Sequence, residues 1–162
     1  MLLLLLHCLK ISPAKVGILI DSAGNACISN FSQLVVISDP ENTLYPSAVG
    51  GTVGWMSPEL IAPGEFGLEK SLLTKSSDCY ALGMVLYETI SGNLPFYEHA
   101  DAMVLMQLMG GGHPTRSMKF SENLWEVLEQ CWAAHPNDRP SVEDVLQRLR
   151  GISNSSRAGT DE

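Results

Sequence analysis

Glycines, cysteines and carboxylates are the residues through which this chain could do chemistry. Two glycine groups, Gly50-Gly51 and Gly110-Gly111-Gly112, offer backbone N–H groups, but a phosphate cradle follows a strand and opens a helix. Neither group does. The four cysteines, Cys8, Cys27, Cys79 and Cys131, stand far apart, with no C-x-x-C pair and no histidine at a metal-ligand spacing. Three of them have apolar neighbours, so small buried thiols in a reducing compartment are expected, not a metal centre or a disulfide framework. Asp78 immediately precedes a long apolar run and reads as an N-cap, its carboxylate accepting from helix N–H groups. The stretch DSAGNACISNFSQL, Asp21 to Leu34, reads as the second half of a hairpin that delivers Asn30-Phe31-Ser32 to a loop.

The elements that must position these residues are legible from composition and pattern. With 162 residues, 45% hydrophobic and 17% charged, the chain has globular composition and the length of one domain or a large piece of one. A formal charge of −8 offers no basic stripe to neutralise phosphates, which argues against nucleic-acid binding. The leucine run Leu2 to Leu6 lacks a basic leader and a cleavage site, and is too short for a bilayer. It reads as the end of a core helix. No membrane association is expected, and the cytoplasm is the default location.

Two short apolar runs, Ile18 to Ile20 and Ala26 to Ile28, flank the turn-forming Ser22-Ala23-Gly24-Asn25 and predict a hairpin. Gln33 to Pro46 reads as loop. Pro58 biases Ser57 away from helical geometry, after which Glu59-Leu60-Ile61 forms one short turn. Four helices are then predicted. The first begins at Asp78, is apolar on nearly every side and stops at Gly92, so it is a buried one. DAMVLMQLM follows, closed by Gly110; its methionines suit adaptable contacts with a partner, as do the loop after Pro95 and the surface near Trp55, although ordinary core is the simpler reading of the methionines. In the third, Leu124, Leu128, Cys131 and Trp132 repeat on one face. The last has Ser141 as N-cap with Asp144 three residues on, a buried face of Val142, Val145, Leu146 and Leu149, and a stop at Gly151. Residues 153–162 are polar and are expected to be a disordered tail.

Taken together, GTVGWMSPE, SSDCYALGMVLYE, SGNLPF and CWAAHPNDRPS, in that order, resemble the C-terminal lobe of a eukaryotic protein kinase, most like the tyrosine-kinase-like and tyrosine kinases. The resemblance implies a mainly α fold of short β-hairpin, activation-segment-like loop and four helices, over residues 1–152, with no N-lobe. Ser57, Pro58 and Glu59 would close the activation segment, Arg139 would pair with Glu59, Asp78 would support the catalytic loop, and Phe31 would keep a packing role.

The same alignment implies what has been replaced. Ser12 falls where the catalytic Asp belongs, Ala14 at the loop Lys, Gly17 at the loop Asn and Asn30 at the Asp of D-F-G. Uncharged Ser12 cannot match the basicity of a carboxylate, and Gly17 and Asn30 offer no charged ligand to magnesium. The expectation is therefore a truncated pseudokinase with no catalytic residues and no bound metal or cofactor, where the family would use ATP and Mg. It would act by binding a protein partner, and its uncovered central helix would favour self-association. The alternative is a fragment of an active Ser/Thr or Tyr kinase whose N-lobe was lost from the gene model.

Overall fold

A computed structural model describes residues 18–28 and 53–158. Strands β1 (Ile18–Ile20) and β2 (Ala26–Ile28) pair antiparallel, Ile18 opposite Ile28 and Ile20 opposite Ala26. Asp21 ties the connecting turn: its carboxylate accepts from the N–H groups of Ala23 at 2.9 Å and Asn25 at 2.7 Å, and from the Asn25 side chain at 2.9 Å. Gly24 supplies the positive φ that the reversal requires.

Beyond a single 3-10 turn at Val53–Trp55 the described chain is helical: α1 (Pro58–Ile61), α2 (Lys75–Ser91), α3 (Asp101–Met109), α4 (Glu122–Cys131) and α5 (Val142–Ala158), with further 3-10 turns at Pro63–Phe66 and Pro136–Asp138. Among the described residues no helix is long and apolar enough to cross a membrane. Helix α2 is the axis of the core. Its Cys79, Tyr80, Met84, Leu86 and Tyr87 are buried, and Gly83 marks its crossing with α4, where an added Cβ would lie 2.8 Å from the Cys131 Cβ. Trp132 packs there beside Tyr87 and Trp125, at ring-centroid distances of 6.1 and 5.6 Å, both edge-on.

Five details differ from expectation. Helix α2 begins before Asp78, because Thr74 and Ser77 form a capping box: the Ser77 N–H donates to Thr74 Oγ1 at 3.1 Å and the Thr74 N–H to Ser77 Oγ at 2.9 Å. With both N–H groups already satisfied, Asp78 lies inside the first turn and is no cap. Helix α5 starts at its expected Ser141–Asp144 box, with Asp144 N–H donating to Ser141 Oγ at 3.2 Å, but runs through Gly151 as far as Ala158. Ile152, half-buried against the core, gives that last stretch a packed residue that outweighs the roughly 1 kcal/mol propensity cost of a mid-helix glycine.

Val142, expected on the buried face of α5, is exposed; Val145 and Leu149 carry the face. Cys27 is also exposed, as a strand of a two-stranded sheet has an open face, whereas Cys79 and Cys131 are buried. The methionines of α3 are the fifth difference. Met103, Met106 and Met109 are 45%, 67% and 61% exposed, because Val104 and Leu108 on the opposite side already fill the contact with the core.

Candidate functional site

Two places in the described structure gather polar or exposed apolar groups. The first starts with local chemistry at Pro58, which occupies the first helical position of α1 and holds Ser57 extended, at φ −73° and ψ 151°. Glu59 follows within a buried turn. Arg139 reaches it from the end of the Pro136–Asp138 turn, and the two side chains meet fork to fork, Nη1 donating to Oε1 at 2.7 Å and Nη2 to Oε2 at 2.8 Å. Their side-chain exposures are 0% for Arg139 and 3% for Glu59.

A charge pair so far from water survives only when its remaining donors are used. They are. Arg139 Nη1 also donates to the Ser76 carbonyl at 3.0 Å, Nε to the Ala133 carbonyl at 2.9 Å, and the guanidinium lies 5.0 Å from the centroid of the Tyr80 ring. Burial pushes the Glu59 carboxyl up, but the bonds and charge of Arg139 outweigh it and hold the group below the ordinary carboxylate range. The Tyr80 hydroxyl is pushed well above its usual range by the same burial. One guanidinium thus fastens α1, the start of α2 and the segment after α4. The guanidinium has no donor left for a substrate, so its chemistry is structural.

The second place is a groove of about 200 Å³ between the Val53–Trp55 turn and the segment Leu94 to Val104. Gly54 lets the walls approach: a Cβ there would stand 3.2 Å from the Pro95 carbonyl oxygen. Phe96 turns its ring into the core at a left-handed φ of 57°, a conformation that a bulky residue keeps only when its surroundings compel it. The neighbouring Tyr97 and Leu94 consequently face out, 53% and 41% exposed. Near this wall, burial pushes the Glu88 carboxyl up.

Of the residues singled out in the sequence, Ser57, Pro58, Glu59 and Arg139 come together. Asp78 stays apart from that cluster; it has an exposed surface, and desolvation by neighbouring groups raises its carboxyl. Ser12, Ala14, Gly17, Asn30 and Phe31 lie outside the described residues. Sequence reasoning missed the roles of Ser76, Ala133 and Tyr80 around Arg139, since two act through backbone carbonyls that carry no residue signature. It also missed that Cys79 and Cys131 are neighbours across α2 and α4, where the Cys79 thiol and burial together push the Cys131 thiol up. Among the described residues no group of three or more His, Cys, Asp or Glu side chains could hold a metal ion.

Comparison with known proteins places this architecture. The profile of the protein tyrosine and serine/threonine kinase family matches residues 14–149. The chain belongs to that protein kinase family. It is 28% identical over 145 residues to the serine/threonine-protein kinase VIK of Arabidopsis thaliana, covering 88% of this chain and 32% of VIK. It is also 32% identical over 111 residues to human mitogen-activated protein kinase kinase kinase 10, covering 67% of this chain and 11% of that protein. With the rat proto-oncogene tyrosine-protein kinase ROS it shares 31% identity over 105 residues, 62% of this chain and 4% of ROS. The chain therefore spans about a third or less of each of these relatives.

Proposed function

We propose that this chain is a catalytically silent, C-lobe-like member of the kinase family that acts by binding a protein. The observation that carries the reading is a contrast between two sets of residues. The scaffold pair is formed, with Glu59 and Arg139 joined by two bonds and Arg139 also bonded to the Ser76 and Ala133 carbonyls. The reactive set is not: Ser12, Gly17 and Asn30 stand at the aligned positions of the catalytic Asp, the loop Asn and the D-F-G Asp.

Phosphoryl transfer relies on positioning and on charge stabilisation by metal-held phosphates, so neutral side chains at all three places withdraw its main terms. ATP and magnesium are accordingly no part of the proposed activity. A cytoplasmic setting suits the free thiols Cys27, Cys79 and Cys131. The competing reading, phosphotransfer by a longer protein that carries this lobe, draws on the small share of its relatives that the chain spans. It would still have to work without those three groups.

The test is a thermal-shift titration with ATP, alone and with magnesium or manganese, followed by assay of phosphate incorporation into the chain and into a general protein acceptor. No shift and no incorporation are expected. Saturable, metal-dependent stabilisation with incorporation would overturn the reading.

A further inference from the structure

The exposed face of α3 has no role in the fold described above, and its chemistry is specific enough to name an occupant. Ala102, Met103, Met106 and Met109 recur at three- and four-residue steps and form one outward stripe, while Val104 and Leu108 hold the helix to the core. Three exposed methionines on one short helix make a surface that is apolar, unbranched and able to reshape around a partner's side chains. The groove at Val53–Trp55 lies on the other side of the helix, lined there by Asp101 and Val104, while Tyr97 and Leu94 add exposed apolar area in the segment leading into α3.

Charge decides what can cover it. From Ser76 through Thr115 the chain has no Lys or Arg, whereas Glu98 and Asp101 stand exposed at the head of the stripe. The cations that follow are engaged elsewhere: Arg116 bonds Glu122 at 2.8 Å, and Lys119 donates to the Ser91 carbonyl at 2.6 Å. An anionic membrane surface would meet this face with like charge, and so would a second copy of a chain whose formal charge is −8.

We propose that the α3 stripe receives a cationic amphipathic helix of a partner protein, its apolar side on the methionines and its basic residues toward Glu98 and Asp101. This rests on the reading of the chain as a binding module and deepens it. Apolar contact supplies most of the affinity, and the two carboxylates set orientation and exclude acidic helices.

A fluorescein-labelled amphipathic peptide of leucine and lysine at helical spacing, without any hydroxyl-bearing residue, is titrated with the full chain by anisotropy. Saturable binding is expected, weakened about tenfold or more by the double variant M103K/M106K and severalfold by E98Q/D101N, as for a small set of dominant anchors with an electrostatic rim. Raised salt should weaken it further. Absence of binding overturns the proposal, as does binding unchanged in M103K/M106K or equal binding of a leucine and glutamate peptide of the same pattern. Methionine-dependent cosedimentation with phosphatidylserine vesicles would assign the face to membranes, and methionine-dependent self-association would assign it to a second copy; either result also overturns it. Because the peptide has no phosphate acceptor, its binding is independent of catalysis. Phosphate transfer in the separate incorporation assay would overturn catalytic silence and leave the docking face standing.

Discussion

The Glu59–Arg139 junction and the methionine face of α3 lie in one small helical structure and obey opposite rules. At the junction every strong donor of the guanidinium has an acceptor and water is excluded, so the geometry has one solution. On α3 the exposed side chains are flexible and unpaired in charge, and the surface has many solutions. The difference separates what a fold must keep from what a binding surface can vary. A buried ion pair cannot lose one member cheaply, whereas an exposed methionine can be replaced at little cost to folding.

The largest expected effect tests the rigid side of that comparison. Arg139→Ala leaves the Glu59 carboxylate buried without a partner and should cost about 3–5 kcal/mol, read as a steep fall in Tm or as failure to fold. An unchanged melt would mean that the junction does not hold these elements together. Arg139→Lys, which retains charge but not the fork, should recover only part of the loss.

Acid should attack the same point. The folded Glu59 carboxyl is held below its unfolded value, so its contribution is present above the unfolded pKa and is lost as pH falls through the folded one. Asp78 and Glu88 are raised and run the other way, their contribution being present at low pH and lost as pH rises through their folded values. Melting curves from neutral pH downward should therefore show a steeper acid decline in the wild type than in Glu59→Gln. Parallel curves would remove Glu59 from the acid response.

A smaller effect separates the two claimants to the start of α2. Thr74→Ala should cost about 1 kcal/mol, as loss of a capping side chain does, and Asp78→Ala should cost less because Asp78 caps nothing. The reverse order would restore Asp78 as the cap. Smallest of all is the flexible side of the comparison: M103K/M106K should keep its melt within about 0.5 kcal/mol of wild type, as exposed substitutions do. A large loss would mean that these methionines are core after all.

The sequence was a good guide wherever the physics is local. Ser22 to Asn25 announced a turn through Gly24 and the short polar side chains around it, and the turn is there. Ser141 and Asp144 announced a helix start, and their side chains and backbone N–H groups do bond reciprocally. Asp78 misled because Asp, Ser and Thr are all good caps, and TKSSD presents four of them in five residues. Choosing among these depends on which side chains are free to bend back, a matter of packing. Gly151 misled for a related reason: glycine permits a helix to stop, while Ile152 against the core gives it cause to continue.

What the sequence by itself determined, then, is the succession of turn and helices and the membership of the chain in the kinase family, because caps, periodicity and motif order are all written within short stretches. Only the tertiary structure decided that Arg139 also binds the Ser76 and Ala133 carbonyls, that Gly83 seats α2 against Trp132, and that the methionines of α3 face outward. Each of these depends on which surface another element covers first. Val104 and Leu108 had already filled the core beneath α3, and the methionines were left to face the solvent.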